Sequence, residues 1–501
     1  MFGSCTPEPT IYRRAMIGNE IMNFETVIGL ETHAQLQTES KMFCSCSTKF
    51  GNDPNSNICP VCTGQPGSLP VINEKAVRLA VKTALALNCK INNESVFARK
   101  NYFYPDLPKD YQISQFEMPL AEHGYLEIEV GGQIKKIGIT RVHLEEDAGK
   151  LVHKGSAGIK GSDYSLVDLN RTGTPLMEIV SEPDLRTPEE ARVYMEELAH
   201  ILRYLEVCDA KLEEGSMRCD ANISIRRAGV KELGVKTELK NMNSFKAVQK
   251  ALEKEEARQK EVVSEGGKIY QQTLLFDEAT SSVHPMRSKE GSHDYRYFPD
   301  PDLLPLYVDE KMIEEVKGLT GELPIEKFKR FVSQYGIPGQ DINVLIESRY
   351  TADFFEETVK LNSEPKLSAN WLIGDIPAYL NANNIELKET KLTPVLLAEM
   401  IGLVKTGAVS GNSAKKVVAE MIKTGRSAKE LVESMGASQI SDESALIEIA
   451  ERVVAANPQS VEAFKSGKEA AIKHLIGQAM KETKGRANPR LIETLIKKTL
   501  G

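Results

Sequence analysis

Long apolar runs, a phosphate-binding glycine loop and a nucleophile elbow are all missing from this 501-residue sequence. No stretch approaches the ~18 to 20 apolar residues that a membrane span needs, so a helical membrane protein is not expected, nor is a membrane partner. Arginines near the N-terminus are followed by no apolar h-region, so the opening residues do not read as a secretory signal and the chain is expected in the cytoplasm. Strong patterning begins only at Met22, and residues 1–21 read as a disordered extension or a misplaced start. There is no Gly-x-x-x-x-Gly-Lys-[Ser/Thr], no Gly-x-Gly-x-x-Gly behind a strand and no Gly-x-Ser-x-Gly. P-loop nucleotide binding, dinucleotide binding and α/β-hydrolase chemistry are therefore not expected. A long glycine- and serine-rich tract with a lysine partner is also lacking, so the chain is not expected to hydrolyse glutamine itself. Internal repeats and low-complexity tracts are absent.

What remains is globular in character. Hydrophobic residues make up 41% and charged residues 27%, and the length suggests two to four domains. A net charge of -8 argues against coating nucleic acid over the whole surface. The charge is uneven, however: from Gly411 to Gly501, 15 Lys and Arg face 11 Asp and Glu. A basic module on an acidic body suggests local contact with a polyanion, although an ordinary helical surface has the same signature.

The chain reads as α+β. Residues 22–310 carry short alternating strands, a few helices and Gly or Pro punctuation, as expected of an antiparallel sheet domain. Residues 311–410 read as an all-α linker domain. The small polar stretch Gly407 to Ser413 suggests a boundary, after which 411–501 reads as a small all-α tail.

The most specific local signal is Cys44-x-Cys46 followed by Cys59-x-x-Cys62. Two close thiol pairs around a turn-rich loop match a tetrahedral zinc site, and a closed four-sulfur site leaves no position for substrate, so its role is structural. A reducing compartment argues against two disulfides. A second signal comes from strand parity, because alternate side chains share a face. Glu31, His33 and Gln35 fall together; so do Arg141, His143 and Glu145; Asp168 and Asn170; Arg218, Asp220 and Asn222; and Lys236, Glu238 and Lys240. A sheet face with these residues can hold a charged ligand and a hard cation, the alternative being a solvated face. The segment HLEEDAGK, from His143 to Lys150, crowds three carboxylates, and DLNRTGTPLMEIV returns Glu178 between apolar neighbours. The stretch Asp294 to Asp302 mixes aromatic, Arg and Asp residues, fit to stack a base or to cap the domain.

In combination, VIGLETHAQL, NYFYPDLPKDYQISQFEMPL, HLEEDAGK, DLNRTGTPLMEIVSEPD, GSMRCDANIS, ELKNMNSF and DYRYFPDPDLLPL resemble the GatB/GatE family, the B subunits of aspartyl/glutamyl-tRNA(Asn/Gln) amidotransferases. The resemblance runs from about Met22 to the C-terminus. GQAMKETKGRANP resembles that family's YqeY-like tail, and the cysteine quartet its zinc knuckle. The resemblance implies a cytoplasmic heterotrimeric ligase: a catalytic cradle domain, a helical linker and a tRNA-binding tail, beside an amidase (glutaminase) partner that releases ammonia and a small third partner. It implies that ATP and Mg2+ phosphorylate the side-chain carboxylate of misacylated Glu-tRNA(Gln) or Asp-tRNA(Asn), and that ammonia displaces the phosphate. By motif match, Glu31, His33, Glu146 and Glu178 are the candidate Mg2+ ligands, although parity alone selects Glu145 beside His143. Arg141, Asn170, Arg171 and Lys240 are candidates for phosphate or acceptor contact, and Lys481, Lys484, Arg486 and Arg490 for the tRNA backbone. A non-catalytic tRNA-binding scaffold is the competing expectation.

Overall fold

The computed structural model describes residues 23–155, 162–286, 294–437, 443–466, 468, 470–483 and 487–500. Two compact units divide the chain, one ending at Gly321 and the other beginning at Glu322.

The first unit is built on a nine-stranded sheet. In chain order its strands are β1 (Phe24–Gln35), β2 (Lys90–Ile91), β3 (Ala121–Val130), β4 (Gln133–Glu146), β5 (Pro175–Ser181), β6 (Met217–Arg227), β7 (Thr237–Lys240), β8 (Thr273–Asp277) and β9 (Ser282–Pro285). Across the sheet the order is β9-β8-β7-β6-β1-β5-β4-β3-β2. Every pairing is antiparallel except β7 with β8, which run parallel. The sheet is thus antiparallel as the sequence led one to expect, with one parallel joint near an edge.

Alternation along β1 explains how the sheet sits. Ile28, Leu30, Thr32 and Ala34 are buried, and on the neighbouring strands so are Met177, Ile179, Val142, Leu144, Ala221 and Ile223. Against this face pack α1 (Glu74–Ala86), α2 (Pro188–Tyr204) and α3 (Phe245–Ser264). In α2 the apolar stripe Ala191, Tyr194, Met195, Leu198 and Leu202 follows the helical repeat, Thr187 caps the first turn and Pro188 opens it. Each large side chain buried there contributes roughly 1.5 to 3 kcal/mol. With helices on one face, the other is left for polar chemistry. The unit extends beyond residue 310 because α4 (Glu310–Thr320) packs back on α1.

The second unit is all helical, as anticipated, but its cores divide elsewhere than expected. One core runs continuously from Phe331 to Ala437, and a smaller one from Leu446 to Leu500. The boundary read at Gly411 falls inside the first core. Its small polar residues form a helix start rather than a linker: Ser410 caps the helix Gly411–Thr424 by accepting from the Ser413 N–H. That helix turns Val417, Val418, Met421 and Ile422 into the same core as Leu397 and Met400. No helix among the described residues is long and apolar enough to cross a membrane.

A chain truncated after Ser410 should therefore fail to fold its helical unit. It loses Val417, Val418, Met421, Ile422, Leu431 and Val432 from the core, a loss of ~10 kcal/mol that rivals a typical domain's entire stability. A chain ending at Ala437 should keep a protease-resistant helical unit with a cooperative melt. Equal resistance of both truncations would contradict the continuous core.

Candidate active site

The polar face of the sheet is assembled by register. His33 of β1 stands opposite Glu178 of β5 on one side and Arg218 of β6 on the other, and Glu178 stands opposite His143 of β4. A second row, two residues along, joins Asp220, Glu31, Val180 and Arg141. These side chains come from four strands, and their proximity follows from antiparallel pairing with β1 and β5 in the middle.

At the centre, His33 Nε2 lies 3.4 Å from Glu178 Oε2 and 3.6 Å from Glu145 Oε1. His143 Nε2 lies 3.3 Å from Glu178 Oε2 and 3.8 Å from Glu145 Oε2. Arg141 places Nη2 at 3.8 Å from Glu178 Oε1 and donates from Nε to His143 Nδ1 at 3.4 Å. Ser114 Oγ donates to Glu145 Oε2 at 3.3 Å. Burial opposes a charge on either imidazole, yet the hydrogen bond to Glu178 and the charge of Glu145 outweigh it and lift His33 to about 9. His143 is raised too: burial works against it, and the Glu178 charge overcomes burial. Burial likewise pushes Glu178 up, but the charge of His143 and its hydrogen bonds hold it well below the usual carboxylate range. Imidazole and guanidinium groups thus surround the two carboxylates in this space.

A divalent cation would face the same carboxylates. One ligand atom each from His33, Glu145 and Glu178 lie within 4.8 Å of one another, and a donor set rich in carboxylate oxygen suits a hard ion.

The expected ligand Glu146 points elsewhere. One residue further along β4 it faces the opposite side, where it pairs with Lys109 and accepts from the Ile113 N–H at 3.0 Å. Glu145, the residue that parity selects, occupies the cluster instead. Glu31 sits in the adjoining row, accepting from Asn222 Nδ2 at 3.0 Å. Burial, then the charges of Glu178 and Asp220, raise its pKa. Lys240 pairs with Asp220 and lies 3.0 Å from Glu238 Oε1. Burial disfavours its charge, but the Asp220 carboxylate overcomes this and raises its pKa.

Asn170 and Arg171 act as braces rather than joining the cluster. Asn170 accepts from the Asn57 N–H at 2.8 Å and donates to the Asp53 carbonyl at 2.7 Å, tying the cysteine loop to the sheet. Arg171 donates to the carbonyls of Ala148 and Gly149 at 3.0 and 2.5 Å. In the cysteine loop, the four sulfurs of Cys44, Cys46, Cys59 and Cys62 lie within 4.8 Å of one another. Cys59 and Cys62 Sγ are 3.9 Å apart, close to the ~3.8 Å edge that ~2.3 Å metal–sulfur bonds give in a tetrahedron. Gly173, at φ +83°, turns the adjoining chain where a Cβ would meet Cys62 and Lys41 at 3.5 Å. In the tail, Lys481 is exposed at the end of the helix Ala470–Glu482. Lys484 and Arg486 lie outside the described residues, as does the side chain of Arg490.

Two buried lysines escaped the sequence reading. Lys41, fully buried, donates to the Asn57 carbonyl at 2.7 Å and the Leu169 carbonyl at 3.4 Å, and reaches Cys62 Sγ at 3.6 Å. Lys109 pairs with Glu146. Both lie outside strands, so no alternation marks them. Asp147 was legible only as one of three adjacent carboxylates. It pairs with Arg218, lies 3.5 Å from Arg171 Nε and accepts from Gln35 Nε2 at 3.0 Å. Burial would raise its pKa, but the Arg218 and Arg171 charges hold it below the usual range.

Because the folded-state pKa of Asp147 is depressed, its stabilisation is complete above the unfolded value of ~3.9 and disappears as pH falls through the folded value. Asp147→Asn should cost ~2 kcal/mol at pH 7. Urea unfolding should find the same gap from wild type at pH 6 and a shrinking one below pH ~4; a gap that widens in acid would contradict this pairing.

Comparison with known proteins agrees with this architecture. A family model described as the GatB/GatE catalytic domain matches residues 26–314, and one described as a GatB domain, of the Yqey type, matches residues 353–500. The B subunit of aspartyl/glutamyl-tRNA(Asn/Gln) amidotransferase from Carboxydothermus hydrogenoformans is 54% identical over 477 residues, covering 95% of this chain and 99% of the relative. The protein of the same name from Brevibacillus brevis is 54% identical over the same shares. That from Thermodesulfovibrio yellowstonii is 54% identical over 479 residues, 96% of this chain and 100% of the relative. With its catalytic-domain match spanning the sheet and its near full-length likeness to these proteins, the chain belongs to the GatB/GatE family of tRNA-dependent amidotransferase B subunits.

Proposed function

We propose that this protein uses ATP to activate the side-chain carboxylate of misacylated Glu-tRNA(Gln), Asp-tRNA(Asn) or both, and amidates it with ammonia supplied by a partner amidase. The observation that carries the reading is the convergence of His33, Glu145 and Glu178 beside Arg141 on the polar face of the sheet. A bare carboxylate resists ammonia because its leaving group would be oxide. Transfer of the γ-phosphoryl group to a carboxylate oxygen gives an acyl phosphate; ammonia then attacks the carbonyl and phosphate leaves with that oxygen.

His33, Glu145 and Glu178 would hold Mg2+, with Glu31 in the next row. Bound there, the ion would neutralise phosphoryl oxygens, which repel the attacking carboxylate. Arg141, held beside Glu178, and Lys240, held beside Asp220, supply fixed positive charge to orient anionic groups. Cys44, Cys46, Cys59 and Cys62 would hold a structural Zn2+, for which the sulfur spacing is suitable. The basic tail with Lys481, Lys484, Arg486 and Arg490 would meet tRNA phosphates without reading bases. The partners in the complex are the glutamine-hydrolysing amidase and a small third protein. A purely scaffolding role is less favoured, since a scaffold needs no buried pair of carboxylates facing two imidazoles.

The test uses the assembled complex with an inactivated amidase, ammonium chloride, ATP and misacylated tRNA. Glu178→Ala should lower amidated product by about 100-fold or more. Full activity would favour the scaffold. For the ion itself, Mn2+ binding followed by electron paramagnetic resonance should be lost in Glu145→Gln and kept in Glu146→Gln; the reverse would return Glu146 to the site. Cys59→Ser should abolish the zinc signal in elemental analysis and lower the melting temperature, whereas unchanged metal content would remove zinc from the account.

A further inference from the structure

The aromatic stretch that begins at Asp294 joins a small antiparallel sheet, in which Ala98–Asn101 pairs with Tyr111–Ser114 on one side and Phe298–Pro299 on the other. Beside this sheet the rings form a ladder. Tyr102 meets Tyr295 at 6.1 Å between ring centres, Tyr295 meets Tyr297 at 6.2 Å, and Tyr297 lies flat on Phe116 at 4.2 Å. The ladder opens on a cavity of about 560 Å³ whose lining includes Lys100, Tyr102, Phe103, Tyr104, Tyr295 and Arg296. Phe103 and Tyr104 are 75% and 58% exposed.

Hydrogen bonds tie the ladder to the strand that carries Glu145. Tyr102 Oη donates to Gln112 Oε1 at 3.5 Å, and Gln112 Nε2 donates to the Glu146 carbonyl of β4 at 2.7 Å, one residue from Glu145. Burial raises the pKa of the Tyr297 phenol, and the charges of Glu145 and Glu178 raise it further, so this end of the ladder lies in the field of the cluster. Charge on the Ala98–Asn101 strand is uneven. Arg99 is neutralised by Asp300 and Asp302, each at 2.8 Å. Lys100 lies 5.0 Å from the Tyr295 ring centre and pairs with no carboxylate among the described residues, and nor does Arg296. Asp294 beside them accepts from the Arg296 N–H at 3.0 Å. Asn101 Nδ2 donates to the carbonyls of Tyr295 and Arg296 at 3.1 and 2.8 Å, holding Arg296 at φ +45°, where residues with a side chain are seldom found.

We propose that this cavity holds the single-stranded 3′ end of the aminoacylated tRNA, with its last bases stacked on Phe103, Tyr104 and the ladder and its phosphates beside Lys100 and Arg296. This rests on the reading that the cluster activates an aminoacyl side-chain carboxylate. The amino acid is esterified to the terminal ribose, so the last base must lie within an amino acid's length of the carboxylate being phosphorylated. The ladder, which begins beside the cluster and ends at the cavity, meets that demand. Unpaired bases offer flat π-faces, and aromatic rings flanked by cations hold a single strand by stacking and by its phosphates, with no need to read base edges. Two cations without carboxylate partners, set beside exposed rings, match a phosphate-linked strand of bases better than they match the apolar core of a protein interface.

The test is binding of two deacylated tRNAs to the full chain purified with its partner proteins, one tRNA intact and the other lacking its terminal CCA. Phe103→Ala and Tyr104→Ala, both at exposed positions, should each weaken the intact tRNA by about fivefold or more while leaving the truncated one within about twofold. Lys100→Gln should also act on the intact tRNA alone, and should flatten the salt dependence of its binding. With 2-aminopurine in place of the terminal adenine, the wild-type complex should quench the fluorescence by stacking, and Tyr104→Ala should relieve the quenching. Equal losses for both tRNAs, unchanged affinity for the intact one, or loss of the partner amidase from the variant complex on gel filtration would overturn the site while leaving carboxylate activation standing. Failure of the wild-type complex to amidate misacylated tRNA would overturn the reading on which the site rests.

Discussion

Two carboxylates and two imidazoles share one partly dry space, and the rest of the N-terminal unit is arranged so that they can. Glu145 and Glu178 repel one another, and burial disfavours charge on any of the four groups. Without compensation, burial would push Glu178 toward its protonated form. Instead the neighbouring carboxylates raise the pKa values of His33 and His143, and the imidazoles hold that of Glu178 down. A divalent ion held there would bring positive charge to the same carboxylates and displace protons from the imidazoles.

That arrangement depends on the register of three strands. A slip of one residue between β1 and β5 would send Glu178 into the helix-covered face and Met177 onto the polar one. The buried set Ile28, Leu30 and Ala34 fixes this register from below. From the side, the cysteine loop is tied to the turn after Asp168 through Asn55, Asn57 and Asn170. Met42 N–H also donates to the Gly173 carbonyl at 2.8 Å. A metal in the cysteine loop would therefore stiffen the turn that feeds β5, linking the cysteine loop to the His33–Glu178 cluster mechanically and not chemically.

Much of this was legible in the sequence because a strand's side chains alternate with a fixed period. Parity placed His33, Arg141, His143 and Glu145 on the correct face, and it selected Glu145 where motif matching pointed to Glu146. The distinction is a single residue, but on a strand one residue reverses the face. The cysteine quartet was legible for a different reason, since its spacing alone brings four thiols to one place. Asn170 and Arg171 were less transparent: strand parity grouped Asn170 with Asp168, whereas both residues serve a turn whose partners are distant in sequence. Lys41 and Lys109 left no pattern, because a buried lysine is explained only by the carbonyls and carboxylates that surround it. The division of the helical unit was misplaced for a related reason. A run of small polar residues looks the same whether it links two domains or caps a helix within one.

The central claim is that this sheet face passes the γ-phosphoryl group of ATP to a side-chain carboxylate before ammonia arrives. The most direct measurement uses misacylated tRNA whose glutamyl side-chain carboxylate carries 18O, with ATP and ammonia, and reads the isotope content of the phosphate released. The account predicts one labelled oxygen in each phosphate formed with product, and no labelled phosphate when His33 is replaced by alanine. Unlabelled phosphate accompanying normal amidation, or undiminished transfer of label in His33→Ala, would contradict it.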